Sequence, residues 1–199
     1  MTTELENRNI ISAFIGAIIG SIVTILSRWI LFRIELKRKK RLMNDDLIHQ
    51  QEVLIEYKKI TEKLLTDFEN KENLDRRSHP SFEDLYADIY ESLSKSDLFI
   101  IYQNRLPKIV QIYKSIEFLK EYKPSTLYAE YIDKWDTHRK LQEHLDHMNN
   151  NPNDKYCGAQ IGYMNHTIEQ LRLNLNTVDE VKRDINSALT YKFYWLNPF

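Results

Sequence analysis

From Ile10 to Leu26 the chain reads IISAFIGAIIGSIVTIL, 17 consecutive residues without a charge, and Trp29, Ile30, Leu31 and Phe32 carry the apolar character past Arg28. At 1.5 Å of rise per residue, about 20 such residues in a helix cross a hydrocarbon layer of roughly 30 Å. The preceding residues hold Glu4 and Glu6 against Arg8, and no small-x-small site precedes Ser27. We therefore expect a retained transmembrane helix over 10–32, behind a short extracytoplasmic tail at 1–9, and not a cleaved leader. Seven basic residues lie between Arg28 and Arg41, with Lys37, Arg38, Lys39, Lys40 and Arg41 in one run. Cationic flanks stay on the cytoplasmic side, and Trp29 suits the interface. The expected location is a bacterial inner membrane, single-pass, N-terminus out, with the basic run setting the topology and touching anionic lipid.

Small residues recur along this helix at spacing four. Ser12, Gly16, Gly20 and Thr24 form one stripe, and Ala13, Ala17 and Ser21 its neighbour. In lipid, helices associate by close packing, and small side chains let backbones approach. The stripe predicts association with further copies of the same chain. One helix encloses no pore, whereas a ring of helices with a Ser/Thr-bearing side is compatible with one.

The whole chain of 199 residues carries a formal charge of −1, so with the stretch from Arg28 to Arg41, seven basic residues against Glu35, set aside, the remainder is acidic by about −7. Such a body is a poor general binder of phosphate backbones, and nucleic-acid contact is expected to be absent or local. The single cysteine, Cys157, excludes an internal disulfide and a cysteine-rich zinc site.

Beyond the basic run every periodic signal is helical, so the expected fold class is all-α: a transmembrane helix, a basic juxtamembrane and helical linker over 33–70, and a helical domain over 80–199. Met43, Leu47, Leu54, Tyr57, Thr61, Leu64 and Phe68 follow a spacing of three and four, interrupted by Gln50. The polar stretch 70–80 reads as a loop, and Ser81 as the cap of a helix burying Phe82, Leu85, Ile89 and Leu93. Pro107 suits the first turn of a helix with Ile109, Ile112, Tyr113, Ile116 and Leu119 inward, ending before Pro124. Ser125 is read as the cap of the next, whose seam is Tyr131, Trp135, His138, Leu141, Leu145 and Met148. Asn149–Asp154 reads as a loop. A further stripe runs through Ile161, Met164, Ile168, Leu171 and Leu175, and Thr177 with Glu180 reads as a capping box opening a last helix through Val178, Val181, Ile185 and Leu189. Gly158 and Gly162, four apart, mark either a tight packing point or the loop before that stripe.

No Gly-rich phosphate loop, Cys-x-x-Cys, His-Glu-x-x-His or Gly-x-Ser-x-Gly occurs. The segment Asp136 to His147 holds His138, His144 and His147, but His138 falls on the apolar seam, so no metal site and no cofactor is expected. Within it, Arg139 and His144 fit the Arg-x4-6-His pattern and resemble the motif of HEPN-type helical ribonucleases, with Lys140 where a polar Asn, His or Asp commonly follows the arginine. The resemblance implies a histidine assisting attack by the RNA 2′-hydroxyl and an arginine neutralising the phosphate, without metal. At 100° per residue the two positions lie roughly 140° apart, so a shared site needs a second copy or a distorted helix.

A HEPN-like motif in a small helical domain behind one N-terminal membrane helix resembles the membrane accessory proteins of type VI-B RNA-targeting CRISPR systems. What that implies is a homo-oligomeric membrane pore that reinforces the anti-phage action of an RNA-guided nuclease pathway, with Arg139 and His144 serving assembly or signalling instead of cutting. Two alternatives stand beside it: a membrane-tethered ribonuclease, and a non-catalytic anchor or scaffold docking a partner through Tyr191, Phe193, Tyr194, Trp195 and Phe199.

Overall fold

The computed structural model describes residues 2–71, 74, 85–147 and 155–190, with side chains described over 12–71, 74, 85–143 and 158–190. All secondary structure among the described residues is helical. Helix α1 spans Thr2–Asn70, α2 Asp88–Ser92, α3 Lys95–Tyr102, α4 Leu106–Glu121, α5 Pro124–His147 and α6 Lys155–Leu189, with a 3-10 turn, Gln103–Arg105, between α3 and α4. The chain divides into two units, one over the first 43 residues and one over Asn44–Tyr191. The second unit therefore begins within α1 and takes in Asn44–Asn70, which the sequence suggested as a linker.

The seam of α1 is buried as its spacing predicts: Leu47, Leu54, Tyr57, Thr61, Leu64 and Phe68 are all inaccessible. It is not interrupted, because Gln50 is buried as well and donates to the Tyr86 carbonyl at 2.5 Å. Helix α6 runs antiparallel to this part of α1. Gln51 donates to Asn186, Lys58 pairs with Asp179 at 2.8 Å and Arg172 with Glu69 at 2.7 Å, so the partner number falls as the α1 number rises. Helix α4 closes the bundle with Ile109, Ile112, Tyr113, Ile116 and Leu119, the five residues its periodicity selects. At the far end of α1, Phe68 stacks on Tyr131 of α5 at 3.8 Å, and the Tyr131 hydroxyl donates to the Phe68 carbonyl.

Several boundaries differ from the sequence reading. Thr177 opens no helix: α6 is continuous through it, and its hydroxyl donates to the Leu173 carbonyl at 2.9 Å, one turn back. A buried stripe on both sides, with Leu171, Asn174, Val178, Val181 and Ile185, keeps the helix intact where a local cap signal alone suggests a start. Gly158 and Gly162 belong to α6 and not to a loop, are exposed, and would give an added Cβ no neighbour within 4 Å among the described residues. Ile161 is exposed.

The expected helix through Leu85, Ile89 and Leu93 is broken. Leu85 precedes α2, Leu93 is extended, and α3 starts behind Ser94, whose hydroxyl accepts from the Asp97 amide at 3.1 Å and donates to its carboxylate. Ser125 lies inside α5, whose first amides bond to the Lys123 carbonyl. Ser81, Phe82 and the loop at Asn149–Asp154 lie outside the described residues, as do the side chains of Leu145 and His147.

Candidate membrane-facing helix and its basic collar

A helical rod of apolar residues lies exposed in the first unit. Every side chain from Ser12 to Phe32 is accessible, with Phe14 and Leu31 each at 66%. This stretch is long and apolar enough to cross a membrane, and none of its most apolar window is buried within the chain. Leaving so many branched apolar side chains in water costs on the order of 1 kcal/mol or more apiece. A core helix would have them covered by its own fold.

The small stripe predicted to mediate association, Ser12, Gly16, Gly20 and Thr24, is open along its length. A Cβ added at Gly16 or Gly20 meets no atom within 4 Å. Its hydroxyls ask little of the surroundings: Thr24 donates to the Gly20 carbonyl and neighbouring Ser21 to the Ala17 carbonyl, both at 2.8 Å. Bonded to their own helix, they enter an apolar environment without an unsatisfied donor.

The collar follows directly. The Arg33 guanidinium stacks over the Trp29 ring at 4.2 Å, joining the two side chains suited to a headgroup boundary. Lys37, Arg38, Lys39, Lys40 and Arg41 occupy five successive helical positions, which at 100° each distribute positive charge around the whole circumference. Lys37, Arg38 and Arg41 are exposed, Lys39 pairs with Glu35 at 2.7 Å, and partial burial lowers the Lys40 pKa from its ordinary value.

Of the Arg139 and His144 pair, the structure describes one side chain. Arg139 is exposed on α5 with its guanidinium 3.8 Å from the Asp136 carboxylate, one helical turn back; the side chain of His144 lies outside the described residues. The backbone positions, both in regular helix, stand five residues apart and therefore face different directions. His138 is half-buried on the seam, as expected, and its Nδ1 has no hydrogen-bond partner among the described residues. No group of three His, Cys, Asp or Glu side chains that could hold a metal ion occurs among the described residues. The aromatic residues Tyr191 to Phe199 lie outside them.

Sequence reasoning missed a buried polar cluster in the second unit. Asp46, at 7% exposure, accepts from the Tyr113 hydroxyl and, at 3.4 Å, from the Gln50 amide. Tyr90 stacks on Tyr113 at 4.2 Å. Burial first, and then the Asp46 hydrogen bond and charge, drive the Tyr113 pKa far above the usual phenol range. The signal was present as polar residues at apolar positions of the α1 period, Asp46 and Gln50, but their partner Tyr113 is 67 residues away.

No family model matches the chain, and neither a curated protein nor a solved structure matches it.

Proposed function

We propose that this chain is a single-pass inner-membrane protein whose copies assemble through the Ser12, Gly16, Gly20 and Thr24 face into a homo-oligomeric effector that opens a pore and compromises the membrane. The observation that carries the reading is the open glycine face on a helix whose apolar surface has no cover among the described residues. Lipid supplies that cover, and a second copy supplies the partner for the small face. The basic collar supports an orientation with the C-terminal domain in the cytoplasm, where Lys37 to Arg41 meet anionic headgroups. The resemblance to type VI-B accessory proteins supports placing the pore beside an RNA-guided nuclease in antiviral defence, with a HEPN-like domain as the cytoplasmic part. In this reading Arg139 and His144 serve contacts between subunits, not hydrolysis.

The test combines sizing of the full chain in detergent with dye release from vesicles that contain it. The expected result is a multimer that leaks dye, and replacement of Gly16 and Gly20 by Ile reduces both size and leakage. A wild-type monomer in tight vesicles removes the proposal. Metal-independent RNA cleavage abolished by Arg139→Ala would favour the ribonuclease in its place.

A further inference from the structure

Asp46 is a buried carboxylate whose described partners are both neutral. The Tyr113 hydroxyl and the Gln50 amide donate to it, and no Lys, Arg or His among the described residues forms an ion pair with it. A buried carboxylate is most stable with a cation beside it, and here the described partners supply only two hydrogen bonds from neutral donors. Two further oxygens of the second unit, Gln50 Oε1 on the side chain bonded to Asp46 and the Tyr102 hydroxyl, each on a side chain 1% exposed, have no hydrogen-bond partner among the described residues. Buried polar atoms are nearly always satisfied, so both call for an explanation.

The orientation of the Gln50 amide is decided by its neighbours. Its nitrogen lies 2.5 Å from the Tyr86 carbonyl and 3.4 Å from Asp46, both acceptors, so turning the amide over would set oxygen against oxygen at each contact. The orphan is therefore the amide oxygen. The two ends of one amide are about 2.2 Å apart, which keeps Oε1 within about 6 Å of the Asp46 carboxylate, a span one cation bridges. Tyr102 lies close enough for the Asp46 charge to oppose its ionisation, in addition to burial.

We propose that Asp46, Gln50 Oε1 and the Tyr102 hydroxyl form a buried binding site for one monovalent alkali cation, sodium or potassium. The chemistry selects the class. All the available ligands are oxygens, which suits a hard cation, and there is one negative charge to balance. Calcium or magnesium would leave a net positive charge buried here, whereas one monovalent cation balances a single carboxylate. The site joins α1 to α3 and, through Tyr113, to α4, so a bound cation ties three elements of the second unit together. The proposal is independent of assembly in the membrane.

The experiment is thermal unfolding of the full chain in detergent, in sodium, potassium or choline chloride at equal ionic strength. A cation that binds only the folded state raises the melting temperature with saturation, by about 3 °C at roughly ten times its dissociation constant. We expect that saturable rise in sodium or potassium over choline, its loss in Asp46→Asn, and a weaker, right-shifted rise in Tyr102→Phe. Where a variant does not fold, the wild-type comparison with choline decides alone. Equal melting in all three salts overturns the site, as does a sodium or potassium effect that persists undiminished in Asp46→Asn. A rubidium soak of crystals gives a second measurement: an anomalous peak between the three oxygens supports the proposal, and a water in that place overturns it.

Discussion

Asn174 of α6 donates its side-chain amide to the Tyr57 hydroxyl and to the Tyr122 carbonyl, each at 2.7 Å. Tyr57 in turn donates to the carbonyls of Leu119 and Tyr122, at 3.2 and 3.0 Å. The last carbonyls of a helix have no partner within it. Two side chains from α1 and α6 therefore cap the C-terminus of α4 and lock three helices at one point. Tyr57→Phe removes the hydroxyl and leaves the Leu119 carbonyl without that donor. The expected loss is about 1 to 3 kcal/mol in denaturant unfolding, and a value near zero would deny the cap its role.

Alkaline stability follows from the buried phenols. Burial raises the pKa values of Tyr57, Tyr102 and Tyr113 in the folded protein, the latter two also through Asp46. A pKa raised on folding means that stability is intact below the unfolded value, near 10, and falls as pH rises above it, because only the unfolded chain ionises. Circular dichroism should show helix content flat to about pH 10 and unfolding beyond. The share of tyrosinate absorbance owed to these three phenols should rise only with that unfolding, and its appearance in a folded chain would contradict these burials.

Phe68 and Tyr131 stack nearly parallel in a cluster with Leu64, Tyr128, Ile132 and Leu171. Phe68→Ala empties that space and should cost about 3 to 5 kcal/mol. Phe68→Leu should cost markedly less, since it keeps most of the apolar volume. Thermal unfolding of both variants measures the difference.

Gly162 offers the opposite case. It sits in α6 with open space where a side chain would be, so Gly162→Ala should stabilise by up to about 1 kcal/mol through helix propensity. An unchanged or lowered melting temperature would show that the position is not free helix surface.

The helical seams of α1, α4 and α6 were legible because their apolar residues repeat at the period of the helix itself, and Ile109 to Leu119 are buried to the residue. Local signals at the helix ends transferred less well. Thr177 and Glu180 carry the cap pattern, yet Thr177 is mid-helix, since the buried stripe from Leu171 to Ile185 outweighs about 1 kcal/mol of capping. The break between α2 and α3 was hidden for the same reason in reverse: Leu85, Ile89 and Leu93 have helical spacing, but Leu85 precedes α2, Leu93 is extended, and Ser94 with Asp97 caps a new start behind them.

What the sequence determined alone is the apolar rod with its glycine stripe and cationic collar, because hydropathy, residue size and charge are properties of each residue and its near neighbours. What only the tertiary structure decided is the fate of the buried polar groups. Asp46 meets Tyr113 and Tyr57 meets Asn174 across 67 and 117 residues. Such partners are chosen by which helices pack together, and no spacing along the chain encodes that choice.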